Sequence, residues 1–113
     1  RPHNSGHLTI ESCYTCQFEQ HIRAILNLPL GNSKMKTPAV MVNLIGNENH
    51  TGPVYYKNID QILAIDSVIP HIYGKKETRP YRKMGHVTVL DSQIQKALQI
   101  AKKIKKTIKV ISK

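Results

Sequence analysis

Tryptophan is missing from the 113 residues, phenylalanine occurs once, and seven acidic side chains face 17 lysines and arginines. So few large aromatics argue against the stacking platforms that grip single-stranded nucleic acid. Two cysteines, Cys13 and Cys16, form a lone CxxC and supply only half of a four-ligand zinc site, against the plainer reading of buried thiols. They also lack the βαβ setting of a thioredoxin-like redox pair. No apolar run nears the roughly 20 residues that span a bilayer. The longest, Ala39–Ile45, is broken by Asn43 and has the length of a strand. The opening Arg1-Pro2-His3-Asn4 is polar and has no apolar h-region, so a cytoplasmic setting is expected. It starts in mid-motif, and the chain is expected to be a piece of a longer protein.

What is present is cationic and globular. Forty per cent of the residues are apolar, enough for one core, and the length does not allow two full domains. A net charge of +10 calls for an anionic partner: nucleic acid, an acidic membrane surface or a phosphate-bearing metabolite. The cations fall in two clusters. Lys102, Lys103, Lys105, Lys106, Lys109 and Lys113 avoid the apolar stripe Ile94, Leu98, Ala101, Ile104 and Ile108, so they read as the solvated face of a helix. Lys75, Lys76, Arg79, Arg82 and Lys83 have no such explanation.

Periodicity predicts a small α+β unit. Residues 6–13 alternate and read as a strand. Thr15 is placed to cap a helix to about Leu28, with Phe18, Ile22, Ile25 and Leu26 on one face, stopped by Pro29. Residues 30–38 read as a linker, so that residues 1–30 belong with something else and a second unit starts near residue 37. That unit is expected to hold strands at 39–45, 68–73 and 83–90 and a polar turn at 46–53. A short helix at 56–65 and a last helix capped by Asp91 complete it.

The segment Lys75-Lys76-Glu77-Thr78-Arg79-Pro80-Tyr81-Arg82-Lys83-Met84-Gly85-His86 carries the strongest chemistry. Like charges this close repel, and an anion would offset them. Pro80 stiffens the turn and fixes where the guanidinium groups point. Arginine forks with a lysine point charge suit a phosphate monoester, against the plainer reading of a solvated basic turn. Arg1-Pro2-His3-Asn4-Ser5-Gly6-His7 gathers an arginine, two histidines, an Asn and a Gly ahead of the expected strand, a composition common in site-lining loops. His3 or His7 are the side chains that a zinc site on the cysteine pair would need. His21, His50, His71 and His86 read as structural or exposed, and His86, just after the basic turn, is the one to test.

The segments Arg1-Pro2-His3-Asn4-Ser5-Gly6-His7, Gln17-Phe18-Glu19-Gln20-His21-Ile22-Arg23-Ala24 and Leu28-Pro29-Leu30-Gly31 resemble the close of the ATP-grasp domain in the 5-(carboxyamino)imidazole ribonucleotide synthase family. Ala39-Val40-Met41-Val42-Asn43-Leu44-Ile45-Gly46, Tyr73-Gly74-Lys75 and Arg79-Pro80-Tyr81-Arg82-Lys83-Met84-Gly85-His86 resemble its C-terminal domain, in the same order. Cys16 stands where that family usually has Ser, and Tyr81 where Gly is common. The resemblance implies the end of an ATP-grasp domain at residues 1–30, then a β-rich barrel-sandwich hybrid at residues 37–113 with flanking helices. It implies a purine-biosynthesis ligase that makes carboxyphosphate from ATP and bicarbonate and carboxylates the amine of 5-aminoimidazole ribonucleotide. Arg1 and His3 would be the catalytic pair facing bicarbonate or carboxyphosphate, and Asn4 and Ser5 would hydrogen-bond substrate. Lys75 and Arg82 would hold the 5′-phosphate, with Lys76, Arg79 and Lys83 behind them. The ligands of ATP and Mg2+ are expected upstream, so this piece alone should be inactive. The intact enzyme would be a cytoplasmic homodimer. The alternative is a non-enzymatic basic module that binds nucleic acid or another polyanion.

Overall fold

A computed structural model describes all 113 residues. A 3-10 turn (Asn4–Leu8) runs directly into the one-turn helix α1 (Thr9–Ser12), and α2 (Gln17–Ile25) follows. Then come β1 (Ala39–Ile45), β2 (Gly52–Lys57), α3 (Ile59–Leu63), β3 (Val68–Ile72), β4 (Glu77–Thr78), β5 (Lys83–Leu90), α4 (Ile94–Thr107) and β6 (Lys109–Ser112). The fold is α+β, with two antiparallel sheets of order β1-β5-β3 and β4-β2-β6.

β5 is the centre. Met84 to Val89 are all buried, as expected for a strand covered on both faces. Its inward residues Met84, Val87 and Val89 join Leu44 of β1, Ile62 of α3, and Ala97, Ala101 and Ile104 of α4 in one core. On α4 the buried line runs Ala97, Ala101, Ile104 and on to Ile108 beyond its end, while its lysines face solvent. Ile94 and Leu98, expected in that stripe, are 46% and 45% exposed. Ile94 sits a turn ahead of the first buried residue, and Leu98 lies beside the line, on the wall of a groove of about 650 Å³ between β1 and α4. Asp91 helps start the helix by accepting from the Gln93 N–H (2.8 Å), although Gln93 holds the cap position. Asn58, at φ 67°, closes the other end: its Nδ2 donates to the Thr107 carbonyl (2.9 Å).

Three sequence expectations give way here. Residues 6–12 are helical and only Cys13 is extended, because Thr9 and Ser12 hydroxyls bond back to the carbonyls of Gly6 and Leu8 (2.6 Å each) and satisfy a turn locally. Residues 56–65 are not one helix. Val54 and Tyr56 point inward while Pro53, Tyr55 and Lys57 point out, a period of two, and the strand pairs with β6 from Val54↔Ser112 to Lys57↔Lys109. Only α3, after the left-handed Asn58, is helical. The cap of α2 is Cys16, whose Sγ accepts from the Glu19 N–H (3.5 Å); Thr15 is buried one residue earlier.

Candidate functional site

The opening loop is pinned from two sides. Gln17, at the start of α2, accepts from the His3 backbone N–H through Oε1 and donates to the His3 carbonyl through Nε2 (3.0 Å each). The same Nε2 lies 2.9 Å from His7 Nδ1. The Ser5 hydroxyl meets His3 Nδ1 at 2.7 Å, and Asn4 Nδ2 donates to Asn43 Oδ1 of β1 (2.8 Å). His3 is thus oriented, exposed and close to an exposed Arg1. Gln20 clamps the other end of this region, bonding both the N–H and the carbonyl of Gly31 (2.8 Å each).

The basic turn is built by backbone. Arg82 N–H donates to the Arg79 carbonyl (3.1 Å), with Pro80 second and Tyr81, at φ 62°, third. That is the pattern of a type II turn, whose third position favours glycine. Tyr81 takes it, with its N–H on the Gly46 carbonyl (2.9 Å) and its hydroxyl on Glu48 (2.7 Å). Glu48 raises the Tyr81 pKa, first by accepting that bond and then by its charge. Gly46 lies so close beneath that a Cβ there would run into the Arg79 carbonyl. Lys75 Nζ donates to the Lys83 carbonyl (2.6 Å), and the Arg82 guanidinium donates to the Glu77 carbonyl (2.8 Å). Lys76, Arg79 and Lys83 are exposed. The two ion pairs of the molecule are Arg23–Glu19 and His71–Glu11, so no cation of the turn is neutralised by a carboxylate.

The loop and the turn meet at His7. Its ring stacks on Phe18 (centroids 5.5 Å) and on His86 (5.1 Å), and His86 stacks on His71 (4.4 Å). His71 Nε2 donates to the Glu11 carboxylate (3.0 Å), and Tyr73 hydroxyl bonds His86 Nδ1 (2.9 Å). A cavity of about 380 Å³ opens beside this column, walled also by Ile10, Pro70 and Ile72. The His7 pKa is lowered by burial first, then by the charges of His71, Lys83 and His3. His3 of the loop and Lys83 of the turn are therefore both within electrostatic reach of one ring. His86, 2% exposed, is pushed down to about 4 by burial, then by His71 and His7. Its Nε2 has no partner. Glu11, His71 and His86 bring donor atoms within 4.8 Å of one another. The His71 and His86 planes are 17° apart, so their in-plane lone pairs run side by side and do not converge on one ion.

Against this geometry, a profile of the phosphoribosylaminoimidazole carboxylase C-terminal domain matches residues 39–100. The chain belongs to that family. It is 46% identical over 97 residues to phosphoribosylaminoimidazole carboxylase, chloroplastic, of Vigna aconitifolia, a match covering 83% of this chain and 17% of that protein. All of it superposes on N5-carboxyaminoimidazole ribonucleotide synthetase of Thermotoga maritima, with a TM-score of 0.97, 57% identity and 32% of that chain covered. An Aspergillus clavatus synthase crystallised with ADP and 5-aminoimidazole ribonucleotide matches 94% of this chain and 28% of its own, at 34% identity and a TM-score of 0.79. The chain spans about a fifth of the length of the curated relatives it matches. Within this carboxylase-domain fold, Gln17, Glu11, His7 and Tyr73 were missed as site residues. Gln17, His7 and Tyr73 sat inside motifs already singled out; nothing local marks Glu11, whose partner is 60 residues away.

Proposed function

We propose that this chain is the C-terminal part of a ligase that carboxylates the amine of 5-aminoimidazole ribonucleotide, using ATP and bicarbonate by way of carboxyphosphate. The observation that carries the reading is the unneutralised cationic turn, set on the same end of the β1–β5 pair as the pinned loop. Asn43, which holds Asn4, is the register partner of His86, and Ile45 that of Lys83. Cations without carboxylate partners suit a phosphate monoester, and the like fold crystallised with the ribonucleotide agrees with this. In this reading Lys75 and Arg82 grip the 5′-phosphate, and Lys76, Arg79 and Lys83 strengthen the local field. Arg1 stabilises charge that develops on the carboxyphosphate. His3, its Nδ1 held by Ser5, presents its other ring nitrogen to position the reactants or move a proton. Asn4 gives one amide hydrogen to Asn43, which leaves its second N–H and its carbonyl oxygen for substrate.

The residues present do not fit an ATP or Mg2+ site. Mg2+ takes oxygen ligands. Near the loop and the turn, Glu11 is engaged with His71, Glu19 with Arg23 and Glu48 with Tyr81, which leaves Glu77 as a lone carboxylate among the five cations of the turn. ATP and Mg2+ therefore belong to the part of the intact enzyme that this chain does not contain. By the same reading residues 1–30 close an ATP-grasp domain and residues 37–113 form a barrel-sandwich hybrid. The intact protein would be a homodimer in the cytoplasm, although the Vigna relative is named as chloroplastic.

The test is kinetic, on the intact protein. ATP hydrolysis should require both bicarbonate and the ribonucleotide. Arg82→Ala should raise the KM for the ribonucleotide roughly 10- to 100-fold, the range for one lost charged hydrogen bond. His3→Ala should lower turnover by roughly 100-fold. Wild-type turnover in His3→Ala would remove His3 from the site. Binding that instead extends over many phosphates and falls steeply with salt would favour a polyanion-binding module.

A further inference from the structure

Between residues 1–38 and the rest of the chain only two side-chain pairs are hydrogen-bonded, Asn4–Asn43 and Glu11–His71. A backbone bond from Asp91 N–H to the Pro38 carbonyl (3.3 Å) lies where the two stretches join, and a further link is aromatic: Phe18, His7, His86 and His71 stack in one column from α2 to β3. Both ends are tied. Gln17 holds His7 at one side, and Glu11 with Tyr73 fastens His71 and His86 at the other. His86 stays in this place although its Nε2 is buried without a partner, a cost that a plain apolar residue would avoid. A ring with a nitrogen at Nδ1 is what Tyr73 requires, and a flat ring is what His7 and His71 require.

We propose that the His7–His86–His71 column, locked by Glu11, is a positioning device that sets the Arg1–Ser5 loop against the Lys75–Lys83 turn. Its part is to position other groups and not to bind substrate. It acts through Gln17 and the His3 backbone, and through β5, whose first residue Lys83 carries the carbonyl that Lys75 binds. The catalytic consequence rests on the ligase reading above; the mechanical part does not.

Two measurements separate these. In the 113-residue chain, amide hydrogen exchange at residues 3–8 should quicken at least about tenfold in Glu11→Ala and His86→Ala, and by clearly less in His86→Phe, which keeps the stack but gives up the Tyr73 bond. In the intact enzyme the same two alanine variants should lose kcat by up to roughly 100-fold, the effect of a misplaced catalytic group. The KM for the ribonucleotide should stay within about threefold, since Lys75 and Arg82 are held by β5 and β4 backbone. His86→Phe should recover most of the loss. His86→Ala removes a buried side chain and can fail to fold; Glu11→Ala, at the half-buried end of the column, then carries the test. Unchanged exchange at residues 3–8 in Glu11→Ala overturns the positioning role outright. Loosened exchange with wild-type kcat per folded molecule overturns its link to catalysis. If the wild-type enzyme shows no ribonucleotide-dependent ATP hydrolysis, the ligase reading falls, and exchange alone decides the column.

Discussion

Residues 1–38 and 39–113 follow different physical logic. The second stretch holds every residue of the apolar core. The first buries only Ser12 and Thr15, both polar, and leaves Tyr14, Phe18, Ile22, Ile25, Leu26, Leu28, Leu30 and Met35 between 40% and 67% exposed. Its own order comes from hydrogen bonds instead: Gln17 and Gln20 clamp the loops at either end of α2, and Arg23 binds Glu19 (2.6 Å) and the Pro29 carbonyl (3.2 Å). One region is held by burial, the other by polar clamps that leave an apolar helix face bare. The amphipathic pattern of α2 therefore specifies a contact that these 113 residues do not make.

The sharpest way to break this contrast is a pair of truncations. Ile104→Ala in the core should cost about 2–5 kcal/mol, while Ile22→Ala on the bare face should stay within about 0.5 kcal/mol, read by urea unfolding of the chain. Equal costs would mean that α2 is packed in solution. Ile22→Asp should in addition reduce any self-association seen by sedimentation, because an exposed apolar stripe is a liability in water.

Acid should strike the boundary between the regions. His86 has a folded pKa of about 4 against 6.5 for a free histidine. Between those values the unfolded chain binds a proton that the folded chain refuses. Stability from this group is thus full above about pH 6.5 and falls as pH drops to about 4, by about 3 kcal/mol in all. His86→Phe should flatten that part of the stability–pH profile. A profile that stays as steep would place the acid sensitivity elsewhere.

What the sequence made legible cuts across this divide: α2, in the first stretch, was readable from its amphipathic period although its apolar face is bare. β1, β3, β5 and α4 were readable because each is long or strongly periodic, and because burial, which sets their pattern, is supplied within the chain. The 3-10 turn and α1 were not, since Leu8 and Ile10 alternate by accident while the Thr9 and Ser12 hydroxyls decide the conformation. β2 and β6 were hidden for another reason: each needs the other, more than 50 residues away, and Lys109–Ser112 reads as a continuation of the lysine-rich helix. Both candidate site segments were visible through their charge and proline. The column that joins them was not, because it is made by stacking among His7, His71 and His86, and no local spacing encodes that.

Gly46 offers a moderate test of how the turn is tied to β1. A methyl group there would meet the Arg79 carbonyl and the Thr78 hydroxyl, neither of which can move without the turn. Gly46→Ala should cost about 1–3 kcal/mol, the usual penalty of overpacking, and should weaken phosphate binding more than Tyr81→Phe does. Loss of stability without loss of phosphate binding would separate the turn's shape from its ligand.

The smallest expected effect lies at Tyr81, and its sign is informative. At φ 62° any L side chain is strained, and a β-branched one most of all. Tyr81→Gly relieves that strain but gives the unfolded chain more freedom and removes the hydroxyl bond to Glu48, so these terms oppose one another. Tyr81→Phe removes the bond and keeps the strain; Tyr81→Val adds strain and removes the bond. Melting temperatures should therefore rank Gly close to Tyr, then Phe, then Val. If Val melts level with Gly, the left-handed turn is not what fixes Arg82, and the bond from its guanidinium to the Glu77 carbonyl must hold the side chain alone.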